Sequence, residues 1–146
     1  MNNNYNNLSN LRNIEKLSIP EAERLLEAAR AALEKAYSPY SNIRVAAAVL
    51  TGSGQIYAGC NIENSSYSLT ICAERSCLFH ALVHGEREFK AMAIITDSEQ
   101  VTSPCGACRQ VLAEFAPQMP IIFANPQGER LFSVDQLLPA QFTLQK

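Results

Sequence analysis

Apolar residues recur at helical spacing through Leu25, Ala29, Ala32, Leu33 and Ala36, behind Ser18 and Pro20. Proline suits a first helical turn, where its missing N–H is not needed. The pattern predicts an amphipathic helix over 20–36. Tyr37-Ser38-Pro39-Tyr40-Ser41-Asn42 then breaks the period with loop-forming residues. Val45–Leu50 and Gln55–Cys60 are short apolar-rich runs on either side of Thr51-Gly52-Ser53-Gly54, the pattern of a β-hairpin. Asn61–Ile71 is polar and irregular. Helical spacing returns from Cys72 to about His84, with Leu78, Ala81 and Leu82 inward and Gly85 as a stop. Ala91–Thr96 reads as a buried strand. Cys105 to about Phe115 reads as a third helix, with Val111, Leu112 and Phe115 inward. Pro120–Phe123 is a further strand, and Asn125-Pro126-Gln127-Gly128 turns the chain. A small strand fits after that turn, and Val134–Leu138 reads as a last short helix.

The order α-β-β-α-β-α-β argues for a layered α/β domain with a partly parallel sheet. The leading hairpin makes that sheet mixed. Residues 1–14 stand apart, with six asparagines in the first ten positions. Asparagine competes with regular structure by bonding nearby backbone, so a flexible tail is expected there and a single domain over 15–146. Charge changes the picture by exclusion. The net charge is −2, and no Lys/Arg cluster gives a footprint for nucleic acid. No apolar run approaches the ~18 residues of a membrane span. The first residues lack a basic region followed by an apolar stretch, so no signal peptide is expected. Five cysteines, two of them in a C-x-x-C pair, then favour metal or catalytic use in the cytoplasm over disulfides.

The candidate chemistry lies in Cys72-Ala73-Glu74 and Pro104-Cys105-Gly106-Ala107-Cys108. Three thiolates can hold a zinc ion and leave a fourth tetrahedral position for water. A carboxylate beside such a position describes a hydrolytic site. Cys72 and Cys105 fall where loops become helices, and free N–H groups at a helix start favour the thiolate. Cys105 and Cys108, at i and i+3, share a face. Glu74 is the candidate proton carrier. Three thiolates overbalance a dication, so Arg75 or Arg109 is expected to donate a hydrogen bond to a ligand sulfur. A competing reading is a four-cysteine structural zinc site completed by Cys60 or Cys77. Those two cysteines fit better as small buried hydrophobes, and His80 and His84 as packing or surface residues.

These motifs, Cys72-Ala73-Glu74-Arg75 and Pro104-Cys105-Gly106-Ala107-Cys108-Arg109-Gln110, resemble the zinc cytidine deaminases. Tyr37-Ser38-Pro39-Tyr40-Ser41, Gly59-Cys60-Asn61-Ile62-Glu63-Asn64 and Leu137-Leu138-Pro139 with Phe142 resemble the small homotetrameric branch. The likeness runs from roughly residue 20 to 142. It implies a three-layer α-β-α fold with a mixed five-stranded sheet. It implies one Zn²⁺ per subunit, held by Cys72, Cys105 and Cys108, with Glu74 moving protons. It further implies hydrolysis of cytidine and 2′-deoxycytidine by water in pyrimidine salvage. Asn61 and Glu63 would bond the ribose, and main-chain groups around Ala73 and Ser103 would read the base. Tyr67 and Phe142 would serve a neighbouring subunit's site. Where the family usually has an aromatic on the pyrimidine, this chain has Ile43, which keeps a modified cytosine nucleoside or a nucleoside antibiotic open as substrate. Ala46 stands where glycine is usual and Arg44 where proline is frequent.

Overall fold

The alternation of strand and helix periods is realised in a computed structural model that describes residues 17–146. The Asn-rich stretch over 1–14 lies outside the described residues. Helix α1 spans Ile19–Leu33. Its start is built as the sequence suggests. Ser18 caps the Glu21 N–H, and the Glu21 carboxylate reaches back to the Ser18 N–H at 2.9 Å, a reciprocal capping box. Strands β1 (Val45–Thr51), β2 (Ile56–Cys60) and β3 (Phe89–Thr96) follow, then β4 (Pro120–Asn125) and β5 (Gly128–Ser133). Helix α2 (Ala73–Val83) lies between β2 and β3, α3 (Gly106–Phe115) between β3 and β4, and a single turn, α4 (Val134–Leu137), follows β5.

The five strands lie in the order β2-β1-β3-β4-β5. β1 is antiparallel to both β2 and β3, β3 is parallel to β4, and β4 is antiparallel to β5. Because β2 and β3 both oppose β1, they point the same way. So α2 and α3 each leave the carboxyl end of a strand at one end of the sheet, where open α/β sheets place their sites. This is the mixed three-layer fold expected from the sequence. Alternate residues of the central strands feed two cores. Ala47, Val49, Met92, Ile94, Ile121 and Phe123 pack beneath α2 and α3. Ala48, Leu50, Ala91, Ala93, Ile95 and Ile122 pack beneath α1. Burial on both faces explains why these strands read as near-continuous apolar runs.

Several boundaries differ from expectation, each for a local reason. α1 stops at Leu33 and not at 36, because the chain is drawn into a bridge between Tyr37 and Ile62. The Tyr37 N–H donates to the Asn61 carbonyl and the Glu63 N–H to the Tyr37 carbonyl. The stretch 61–71 is less irregular than its polarity suggests: Ile62 bridges Ile71, and Tyr67–Leu69 forms a 3-10 turn. β5 is a full six-residue strand, closed on β4 through Asn125 opposite Gly128. On α3 the buried face runs through Cys108, Leu112 and Ala113, which leaves Phe115 at the exposed edge and not inward.

α2 rests unusually close to β2. A methyl group at Gly59 would sit 2.4 Å from the Cys77 backbone nitrogen, and backbone cannot yield as a side chain can. Gly59 therefore sets the height of α2 above the sheet and, with it, the position of Cys72. Gly59→Ala is expected to destabilise the protein by about 1–3 kcal/mol and to lower its zinc content. Urea unfolding and metal analysis of the purified variant check this; an unchanged midpoint would contradict the close approach.

Candidate active site

Cys72 is the N-cap residue of α2 and Cys105 that of α3, while Cys108 lies in the first turn of α3. Neither cap side chain accepts a capping bond from its own helix's backbone N–H groups. Both sulfurs instead turn to the space between the two helix starts. The Sγ atoms of Cys72 and Cys105 are 3.7 Å apart, and all three sulfurs lie within 4.8 Å of one another. A tetrahedral zinc with Zn–S bonds of about 2.3 Å has sulfur–sulfur edges of about 3.8 Å. The three-sulfur cluster therefore fits a zinc ion by donor type and by spacing. Cys60 and Cys77 are not part of it. Cys77 is buried, its thiol donating to the Tyr57 carbonyl at 3.3 Å, and burial pushes its pKa up. That arrangement disfavours a four-cysteine structural site. His80 and His84 stack around Tyr57, with ring centroids 5.2 and 5.1 Å from it, and so serve packing.

The electrostatics follow from crowding sulfurs at two helix starts. In the cluster without metal, contact with Cys108 and then the hydrogen bond from Arg75 bring Cys72 down to about 5, against the opposing effect of burial. Cys108 moves up, through the same contact with Cys72, through burial and through the neighbouring negative charges. A sulfur already inclined to the thiolate readily receives a dication. Arg75 Nη2 donates to Cys72 Sγ at 3.5 Å. Its Nε is buried and without a hydrogen-bond partner among the described residues, while its charge acts on the Cys72 and Cys108 sulfurs. Arg109 does something different. It donates to the Pro104 carbonyl, the Leu137 carbonyl and Ser103 Oγ at 2.8, 2.9 and 2.8 Å, and no hydrogen bond to a sulfur is formed.

Glu74 follows Cys72 into the first turn of α2 and is 5% exposed. Burial pushes its carboxyl up to about 7; the nearby Cys72 adds to the rise, while its own backbone and the Cys108 contact oppose it. A carboxyl near neutrality can both accept and give a proton, as a proton carrier must. Cys72, Glu74 and Cys105 face a cleft of about 240 Å³ together with Ala73, Ser103, Ile43, Asn61, Glu63 and Tyr67. The residues singled out in the sequence are thus gathered at one place. Phe142 is the exception. It is 69% exposed, lies outside the cleft, and its carbonyl accepts from Gln110 Nε2 at 3.0 Å.

Two polar residues at the cleft are more constrained than their sequence suggests. Asn61 Oδ1 accepts from the Val45 N–H at 2.9 Å, and its Nδ2 donates to the Ile43 carbonyl at 2.8 Å. Glu63 accepts from the Tyr40 and Ser41 N–H groups at 2.9 and 3.2 Å and from the Ser41 hydroxyl. Burial would raise the Glu63 pKa, but these three donors outweigh it and hold the group ionised. The pair pins the loop from Tyr40 to Val45, and with it Ile43, against the cleft. Sequence reasoning overlooked Ser41, Thr70 and Val101, which also line the cleft. Ser41 alone had a sign in the sequence, in the loop-forming composition around it and in the Tyr37–Ser41 segment of the resemblance. No helix among the described residues is long and apolar enough to cross a membrane.

Known proteins are similar to this chain. The model of the cytidine and deoxycytidylate deaminase zinc-binding region matches residues 20–124. A cytidine deaminase from Sporosarcina psychrophila is 49% identical over 125 residues, covering 84% of this chain and 92% of that protein. The crystal structure of a cytidine deaminase from Burkholderia pseudomallei superposes with a TM-score of 0.78 at 48% identity, covering 82% of this chain and 98% of that one. A blasticidin-S deaminase from Bacillus cereus is more distant, at 27% identity over 128 residues, 81% of this chain and 91% of that protein. By the family match and by identity over most of its length, the chain belongs to the cytidine and deoxycytidylate deaminase zinc-binding family.

Proposed function

We propose that the protein hydrolyses cytidine and 2′-deoxycytidine to uridine and 2′-deoxyuridine, releasing ammonia, as a step of pyrimidine salvage. The observation that carries this is a buried carboxyl, Glu74, beside a three-sulfur cluster on the wall of a cleft. The 49% identity to a protein named cytidine deaminase, against 27% to a blasticidin-S deaminase, favours the plain nucleoside as substrate.

Cys72, Cys105 and Cys108 would hold the zinc ion, which when bound supplies a Lewis acid that makes water a nucleophile near neutral pH. Glu74 accepts a proton from the attacking water, delivers one to N3 of the pyrimidine, and then helps the C4 amino group leave as ammonia. Its burial suits both directions of transfer. Arg75 offsets the negative charge of the thiolates. Main-chain groups at Ala73 and Ser103 hold the base edge. Ile43 packs on the ring by shape alone, without the face-on π contact an aromatic would add. Asn61 and Glu63 offer the sugar the lone pairs and the N–H that the Tyr40–Val45 loop leaves over.

The exposed Phe142 and the Tyr67 ring at the cleft edge support a homotetramer in which neighbours complete each other's sites. Free cysteines throughout the described residues suit the cytoplasm. Glu74→Gln is expected to cut kcat on cytidine by about 10²–10⁴-fold with zinc still bound, read by loss of cytosine absorbance and by metal analysis. Near-native turnover in that variant would remove Glu74 from the chemistry. Light scattering of the purified protein is expected to give four times the chain mass, and a monomer of full activity would contradict sites completed by neighbours.

A further inference from the structure

Arg109 occupies a place that a cation should avoid. It lies in the first turn of α3, where the helix dipole disfavours positive charge. Neither its charge nor its donors go to the sulfurs beside it. Its guanidinium joins two separate pieces of chain: the Ser103 hydroxyl and the Pro104 carbonyl, which lead into Cys105, and the carbonyl of Leu137 at the end of α4. Each contact is 2.8 to 2.9 Å long. Lysine, with a point charge on a flexible stem, cannot reproduce such a fork.

The contact with Ser103 has a chemical consequence. A serine hydroxyl carries one O–H donor and two acceptor lone pairs. Arg109 Nη2 fills one lone pair. The Ser103 O–H meets no acceptor among the described residues, and Ser103 lines the cleft. A charge-assisted hydrogen bond into Oγ also polarises the O–H outward and makes it a better donor. Asn61 and Glu63, by contrast, have most of their capacity taken up by the loop they pin.

We propose that the Ser103 hydroxyl donates a hydrogen bond to an acceptor atom of the bound nucleoside, and that Arg109 is the positioning residue that turns the hydroxyl into the cleft. The same guanidinium ties this contact to the end of α4, so the C-terminal segment sets the geometry of the cleft wall. The inference rests on the deaminase reading of this cleft. Failure of that reading would show separately, as an active Glu74→Gln variant.

The test is a double-mutant cycle of Ser103→Ala and Arg109→Gln, read as kcat/KM on cytidine, with zinc content and melting temperature measured on every variant. Each single change is expected to lower kcat/KM at least tenfold at full zinc loading. The double variant is expected to be no more than about threefold below the worse single, because both remove one interaction. If the two losses multiply, Arg109 serves the loop and not Ser103, and the proposal falls. It also falls if Ser103→Ala stays within twofold of the native enzyme. Should Arg109→Gln fail to fold, Arg109→Lys, which keeps the charge but reaches fewer acceptors, takes its place in the cycle under the same criteria.

Discussion

Two helix starts pointing at one small space are the constraint on which this protein depends. Cys72 and Cys105 cap α2 and α3, and their sulfurs stand 3.7 Å apart. Three sulfurs that close repel one another once ionised. The arrangement holds together because the N-terminal peptide dipoles face the anions, because Arg75 lends its charge to Cys72, and because a dication can sit among them. Each of these also bears on function. The thiolates are ready for metal, and the carboxyl that follows Cys72 is carried into a buried position beside them.

The sheet exists to make those starts coincide. β2 and β3 run parallel only because each opposes β1. Hence a hairpin, and not another crossover, decides that α2 and α3 begin at the same end. Gly59 then lets α2 lie almost on the backbone of β2. Asn61 and Glu63, just beyond that strand, reach back to the backbone of the Tyr40–Val45 loop. Cleft wall and sulfur cluster are thus built from segments adjoining the same strand, and a disturbance of one is felt by the other.

Much of this was legible in the chain because periodicity and spacing are local. The helix of 20–36, the hairpin around Gly52-Ser53-Gly54 and each of the two cysteine motifs follow from patterns within a few residues. What escaped was set by contacts distant in sequence. The early end of α1 comes from Tyr37 pairing with Ile62. The full length of β5 comes from its register with β4. Phe115 looked inward by spacing, but the sheet meets the face of Cys108 and Leu112 instead. Arg75 and Arg109 each directly follow one of the two cysteine motifs in sequence, and only the fold shows that one donates to a sulfur while the other bonds Ser103. Asn61 and Glu63 lie in a stretch that reads as polar and irregular, and the fold shows them largely committed to backbone.

The central claim is a zinc ion held by three protein sulfurs with its remaining position open to the cleft. X-ray absorption at the zinc edge of the purified protein tests this most directly. The account predicts three sulfur neighbours at about 2.3 Å and one lighter oxygen or nitrogen neighbour. Four sulfur neighbours would describe a closed structural site and contradict it.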